Sequence, residues 1–478
     1  MSTIRVRFAP SPTGLLHVGG LRTALYNFLF ARKHGGVFIL RIEDTDRNRY
    51  VPGAMENLIR TLGWAGLQYD EGPVTGGPRG PYIQSERLAQ YKACAEELIR
   101  NGKAYRDFLD QGDDDEQEKS GEGEQPKIAR RQNLLSSDEV RRRLEAGEPA
   151  AVRMKVPDAV TIAIDDVIRG HVEFASDLVN DQVLLKSDGY PTYHLANVVD
   201  DHFMGVTHVI RGEEWLPSTP KHVLLYDYFG WPKPVFAHLP LLLNPDRTKL
   251  SKRQGDVAVE DYQKKGYLPD ALVNFIALLG WNPGDEREIF TLEELTREFS
   301  LERVGKSGAV FNMDKLNSVN KQYLRTKTDQ ELVSVVRPIL EESGIRGFSD
   351  DYLGQVIRLT KERVTTVCDF KETGDFFFAD PARYDEEALK KNWKAESPKY
   401  VAAVLDALRS LETFSAATIE AVVRRTAEQL GVGPGKLIHP VRLATTGKST
   451  GPGLFELMEV LGKGTCVRRL ERALQTLV

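Results

Sequence analysis

Phe8-Ala9-Pro10-Ser11-Pro12-Thr13-Gly14-Leu15-Leu16-His17-Val18-Gly19-Gly20 is the stretch on which the reading of this chain turns. It separates an apolar-alternating segment, Ile4-Arg5-Val6-Arg7-Phe8, from a helical one, Leu21-Arg22-Thr23-Ala24-Leu25-Tyr26-Asn27-Phe28-Leu29-Phe30. The local order is strand, loop, helix, with narrow residues where the loop ends. A helix start leaves backbone N–H groups unpaired and carries the positive end of the peptide dipole, so it suits a phosphate. Gly19 and Gly20 would let a nucleotide lie against the backbone, with His17 beside it as a hydrogen-bond donor.

About 230 residues later, Lys249-Leu250-Ser251-Lys252-Arg253 gathers three cations after the turn signal Asn244-Pro245-Asp246. A compact cationic loop can clamp a triphosphate and offset the charge that develops on a departing pyrophosphate. Alone, such a pentapeptide is an ordinary surface loop. With the first stretch it points to adenylyl transfer from ATP.

Working outward, a strand over 4–9, a helix over 20–34 and the apolar run Val37-Phe38-Ile39-Leu40-Arg41-Ile42 make a βαβ crossover. A helix is expected near 52–63, a Gly/Pro-rich loop over 72–81 and an amphipathic helix over 82–101. Asp113-Asp114-Asp115-Glu116 to Gly121-Glu122-Gly123-Glu124 reads as an acidic loop with no catalytic part. Strand patterns return over 150–180, at 183–186 and at 206–212, so the sheet is interrupted by about 100 residues. Beyond about 255 helical patterns dominate, and from about 320 to 478 strand-like alternation is nearly absent. The expected fold class is therefore α/β, a doubly wound parallel sheet of Rossmann type split by an α/β insertion and followed by all-α C-terminal domains. The expected divisions are 1–81 with 186–240, then 82–185, 241–320 and 321–478.

The 478 residues exceed what one core organises, and 41% hydrophobic with 28% charged residues is an ordinary globular balance. No apolar run is long enough to span a membrane, and the start of the chain lacks a signal-peptide core, so the expected location is cytoplasmic. The three cysteines, Cys94, Cys368 and Cys466, stand far apart, which excludes a C-x-x-C knuckle. A net charge of −5 argues against an unspecific polybasic nucleic-acid binder while leaving room for local patches such as Arg141-Arg142-Arg143 and Arg424-Arg425.

Arg7 and Glu43 fall at the carboxyl ends of two expected strands, where open α/β sheets gather their ligands. Opposite charges there can hold a zwitterion; an exposed strand position and a capped turn are the plainer readings. Tyr193 and Asn197 stand i, i+4 at a strand-to-helix junction, facing one pocket or merely packing. Arg211, in Arg211-Gly212-Glu213-Glu214-Trp215, can grip a carboxylate or one of its own neighbouring glutamates.

These residues, in this order, resemble the class I aminoacyl-tRNA synthetases, with a HIGH-type signature at 10–20 and a KMSKS-type loop at 249–253. The wording at 7–14, 41–47, 84–87, 185–202, 210–215 and 451–457 is similar to the bacterial glutamyl-tRNA synthetases over almost the whole chain. The resemblance implies a glutamate site of Arg7, Ser11, Glu43, Tyr193, Asn197 and Arg211, with the arginines on carboxylates and Glu43 on the amino side. It implies that His17, Gly19, Lys249 and Lys252 serve catalysis, and that Gly20, Glu214, Leu242 and Ser251 bind ATP. ATP would enter with Mg2+, and glutamate would be activated only once tRNA is bound. The partner implied is tRNA-Glu, held at its acceptor stem by 82–185 and at its anticodon by the helical tail; the protein would be a monomer. Arg363 falls near the position where an arginine favours tRNA-Glu over tRNA-Gln, the alternatives being a form that charges both and a non-catalytic tRNA-binding paralogue. Many relatives carry a zinc-binding C-x-C pair where this chain has Ala104-Tyr105-Arg106-Asp107-Phe108, so no structural zinc is expected.

Overall fold

The computed structural model describes residues 3–108, 135–250 and 257–477, so the acidic loop 110–125 and Ser251, Lys252 and Arg253 of the basic loop lie outside the described residues. Strand β1 (Arg5–Phe8), helix α1 (Val18–Lys33) and strand β2 (Val37–Leu40) form the expected crossover, with β1 and β2 parallel from Arg5↔Val37 to Phe8↔Leu40. Helix α1 begins at Val18 rather than at 20, because His17 is extended and its Nδ1 accepts the Gly19 N–H at 2.9 Å. A side-chain acceptor on an orphan helix donor is what an N-cap supplies. Leu21, Ala24, Leu25, Phe28 and Leu29 are all buried, so α1 is a core helix rather than a surface one.

The return from α1 to β2 passes Gly36. A methyl group there would stand 2.5 Å from the Ile4 carbonyl oxygen, which already accepts the Val37 N–H at 2.8 Å. Backbone on both sides cannot yield cheaply, so Gly36→Ala is expected to cost about 1–3 kcal/mol in thermal unfolding. An unchanged Tm would mean that the crossover relaxes freely.

Helix α2 (Ala54–Trp64) and helix α3 (Leu88–Arg100) follow, then β3 (Ala104–Asp107), α4 (Ser137–Glu145) and β4 (Ala151–Met154). The hairpin β5 (Thr161–Asp166) and β6 (Gly170–Ala175) precedes β7 (Val183–Leu185), which joins β4 and β3 in a three-stranded sheet. Helix α5 (Tyr193–Phe203) is followed by β8 (His208–Gly212), α6 (Thr219–Phe229) and β9 (Val235–Leu239), which make a second parallel crossover, β8 with β9. Strands β5 and β6 come from the segment 82–185, yet β5 pairs in parallel with β9 at Asp166↔Phe236. One buried cluster links Tyr91, Val152 and Ile162 with Leu195, Leu225 and Phe236.

The Thr207 N–H donates to the Arg5 carbonyl at 2.9 Å, which lays the start of β8 against β1. From β1 the chain winds through α1 to β2 on one side; from β8 it winds through α6 to β9 on the other. Strand order therefore reverses between β1 and β8, and a crevice opens beyond their carboxyl ends. Arg7 and Arg211 both stand there.

Residues 1–262 with 272–313 form one compact unit, and 263–271 with 314–478 form another. Every described element of the second unit is helical. Its core is built from Val401, Val404, Leu408, Ile419, Val423, Leu437, Val441, Leu457 and Leu470. Spacings of three and four along successive helices bring these residues onto one buried face. Among the described residues no helix is long and apolar enough to cross a membrane.

Candidate active site

Helix α5 carries one wall of the crevice. Tyr193, Asn197, Asp200 and Asp201 follow the i, i+4, i+7, i+8 spacing of a single helix face, and Asn197, Asp200 and Asp201 are buried. Two acids in the last turns of a helix oppose its dipole, so their burial requires cations close by. Arg7 supplies one: its Nε donates to Asp201 Oδ1 at 3.0 Å and its Nη2 to Oδ2 at 3.2 Å. Arg41, fully buried, donates from Nη1 to Asp201 at 2.7 Å and from Nη2 to Glu43 at 3.0 Å. Arg87 donates to Asp200 at 2.6 Å, with Tyr91 and Gln84 donating to the same carboxylate at 2.9 and 2.8 Å.

Three guanidiniums thus meet three carboxylates. Burial alone would raise the Asp201 carboxyl, but Arg7 and Arg41 together hold it below the ordinary range. For Glu43 burial wins over Arg41, and its carboxyl is pushed up. Asn197 Nδ2 reaches the same Glu43 oxygen at 3.4 Å.

Arg211 differs from Arg7. It is buried at the end of β8 and pairs neither with Glu213, which binds Arg169 at 2.6 Å, nor with Glu214, which lies exposed over Gly212. Its Nε donates to His238 Nε2 at 3.0 Å, and its Nη1 to the Tyr193 hydroxyl at 3.0 Å and to His222 Nδ1 at 3.2 Å. Nη2 donates to Thr219 Oγ1 at 2.9 Å and to the Trp215 carbonyl at 3.4 Å. These acceptors are neutral, because burial drives the His222 and His238 imidazoles below their ordinary pKa, His222 well below. Arg211 is satisfied in hydrogen bonds and has no ion-pair partner among the described residues. Tyr193, whose ring lies 4.3 Å from that of Trp215, feels Arg211, Glu43 and Arg7 together, so the two groups share one site.

The nucleotide-type signals also converge. The Val18 N–H donates to the Val257 carbonyl at 2.8 Å and the Val259 N–H to the Leu16 carbonyl at 2.9 Å. Residues 16–18 are thereby zipped to the segment that directly follows the basic loop. Upstream of that loop, Leu250 N–H donates to Leu242 at 2.9 Å and Asn244 N–H to Thr248 at 2.8 Å, closing a tight hairpin. Leu242 approaches the place a Gly19 methyl would take, at 3.9 Å, with His17 Nδ1 at 3.2 Å on the same side. With Nδ1 accepting, the neutral His17 ring carries its proton on Nε2, where it is a donor. Lys249 is exposed on the hairpin.

Two of the expected positions have further neighbours. The free side of Gly20 faces Leu16 Cδ1 at 2.9 Å and Phe8 at 3.7 Å, so this glycine serves close packing within the first turn of α1. Arg7 comes already ion-paired to Asp201, which leaves the Nη1 edge of its fork for a ligand. Ser11 lies exposed in the 9–16 loop. In the second unit, Arg363 is exposed at the end of the turn Lys361–Arg363, and Arg442 lies close enough to feel its charge.

The sequence reading missed Arg41, Asp200, Asp201, His222, His238, Thr219 and Asp166. The two aspartates were visible as a continuation of the Tyr193–Asn197 face; the histidines carried no local signal.

Comparison with known proteins gives the following. Residues 3–318 match the family model of class I tRNA synthetases (E and Q), catalytic domain, and residues 331–474 match an anticodon-binding domain. A glutamate–tRNA ligase of Chloroherpeton thalassium is 53% identical over 99% of this chain and 98% of its own. One from Chlorobium phaeobacteroides is 51% identical over the same shares. The crystal structure of a glutamate tRNA ligase from Elizabethkingia meningosepticum, in complex with its amino acid, superposes with a TM-score of 0.91 at 41% identity, covering all of both chains.

Proposed function

The chain belongs to the glutamate–tRNA ligases of the class I tRNA synthetase family, and from that premise we propose that it activates L-glutamate with Mg·ATP and transfers it to the terminal ribose of tRNA-Glu. The observation that carries the amino-acid choice is Arg211, buried among neutral acceptors and without a counter-charge among the described residues. A side-chain carboxylate supplies that charge, and the Tyr193 hydroxyl, while accepting from Arg211, keeps its own proton to donate to it. Glutamine offers a neutral amide whose NH2 would face a donor, so the site rejects it. Glu43 and Asn197 take the ammonium end of the substrate, and Arg7 reaches the α-carboxylate with its remaining Nη1 edge. ATP–pyrophosphate exchange in the presence of tRNA tests this: glutamate is expected to support exchange and glutamine is not. Equal exchange with both would remove Arg211 from its role.

His17 Nε2, the backbone of Gly19, Leu242 and Glu214 form the ATP subsite, with Ser251 of the loop and Lys249 and Lys252 on the phosphates. The α-carboxylate attacks the α-phosphate, pyrophosphate leaves, and the ribose hydroxyl then displaces AMP from the mixed anhydride. Position and charge stabilisation carry both steps, with no covalent enzyme intermediate. Lys252→Ala is expected to slow adenylate formation by about two to three orders of magnitude while leaving tRNA binding near normal. Parallel loss of both would contradict a phosphate role.

The helical unit reads the anticodon, and the protein discriminates for tRNA-Glu. Arg442 supports this reading: its Nη1 is buried with no hydrogen-bond partner among the described residues, and Arg363 adds a like charge beside it. Glu456 also acts on Arg442, and adjacent guanidiniums of this kind suit a nucleotide. Arg363→Gln is expected to narrow the preference for tRNA-Glu over tRNA-Gln by about ten- to a hundredfold, read from kcat/KM on the two tRNAs. An unchanged ratio would assign discrimination elsewhere.

A further inference from the structure

The guanidinium of Arg211 has a support that reaches back into the segment 82–185. Asp166, the last residue of β5, is fully buried with His238, and its Oδ2 lies 2.6 Å from His238 Nδ1. The same carboxylate accepts the backbone N–H groups of Ile168 and Arg169 at 2.9 and 2.8 Å and that of His238 at 3.1 Å. A carboxylate held by four donors is fixed in place. It can only accept, so it draws the His238 proton onto Nδ1 and leaves Nε2 as a bare acceptor. Arg211 Nε uses that acceptor at 3.0 Å.

We propose that Asp166 and His238 are positioning residues for amino-acid selection: Asp166 fixes the His238 tautomer, and His238 Nε2 holds the Arg211 guanidinium in the plane where a side-chain carboxylate meets it. The proposal rests on the glutamate reading of Arg211. Neither residue touches substrate. The charge of the pair is the reason that a histidine stands here. A carboxylate placed directly on Arg211 would hold it equally well but would neutralise it, as Asp201 does for Arg7. The imidazole passes on the orientation and keeps the negative charge one ring away. His222 repeats the arrangement from α6: its Nδ1 accepts from Arg211, and its Nε2 faces His194 Nδ1 at 3.2 Å.

Two substitutions separate orientation from bulk. The amide of an asparagine sits where Nδ1 was, so His238→Asn keeps a donor for Asp166 and loses the acceptor for Arg211. The longer glutamine places its amide oxygen where Nε2 was, so His238→Gln restores the acceptor. In tRNA-supported ATP–pyrophosphate exchange, His238→Asn is expected to raise the KM for glutamate about ten- to a hundredfold, with the KM for ATP unchanged. His238→Gln is expected to stay within about threefold of wild type. A glutamate KM unmoved by His238→Asn would overturn the proposal, as would a glutamine variant no better than the asparagine one. Thermal unfolding of both variants guards against misfolding, because a structural defect would raise the KM for ATP and lower the Tm together. Failure of wild type itself to exchange with glutamate would overturn the glutamate reading, a result distinguishable from either outcome.

Discussion

Arg211→Ala is expected to reduce kcat/KM for glutamate by about three orders of magnitude while leaving the KM for ATP close to wild type. The size follows from what Arg211 does in the crevice. It is buried, its five N–H groups meet His238, Tyr193, His222, Thr219 and the Trp215 carbonyl, and no described carboxylate pairs with it. A substrate carboxylate would be its close counter-ion, and removing one partner of such a desolvated pair costs on the order of 3–5 kcal/mol. Stability should move the other way or not at all. A cation without a counter-charge is a burden on the empty fold, so its removal is expected to leave Tm unchanged or raised. A large fall in Tm with a small change in glutamate use would make Arg211 a structural residue.

Asp201→Asn is expected to have its largest effect on the fold. The side chain is buried, and its carboxylate is shared by Arg7 at 3.0 Å and Arg41 at 2.7 Å. The amide keeps the shape and removes the charge, leaving two buried guanidiniums to share Glu43 and Asp200. Breaking a buried pair in this way typically costs about 3–5 kcal/mol, readable as a lower midpoint in urea. The acid limb should change as well. The Asp201 carboxyl is depressed in the folded state, so the stability it contributes is complete above the ordinary aspartate range and is lost as pH falls through the depressed value. In the variant that part of the pH dependence disappears. A loss below about 1 kcal/mol, with the acid limb intact, would mean that solvent reaches the network.

The parallel crossover was legible because its periods differ along one short stretch. Alternation in 4–8 gives way to a helical run and then to Val37–Leu40, and each segment has few other ways to bury its apolar side chains. Tyr193, Asn197 and Arg211 were legible for a similar reason, lying at element ends where a sheet presents its ligands. The start of α1 at Val18 was not, because it depends on the His17 ring turning back onto the Gly19 N–H rather than on propensity. The ion network was not legible either. Arg7 and Asp201 are 194 residues apart and Arg41 and Asp201 160 apart, and nothing in either neighbourhood names the other. Asp166 lies still further from expectation, since it belongs to a segment read as an insertion and yet reaches Arg211 through His238.

The central claim is that this chain joins glutamate to tRNA-Glu. Aminoacylation with radiolabelled glutamate, on purified tRNA-Glu and tRNA-Gln in parallel with Mg·ATP, tests it most directly. Charging of tRNA-Glu is expected, with little on tRNA-Gln. Charging of neither, by a folded protein, would contradict it.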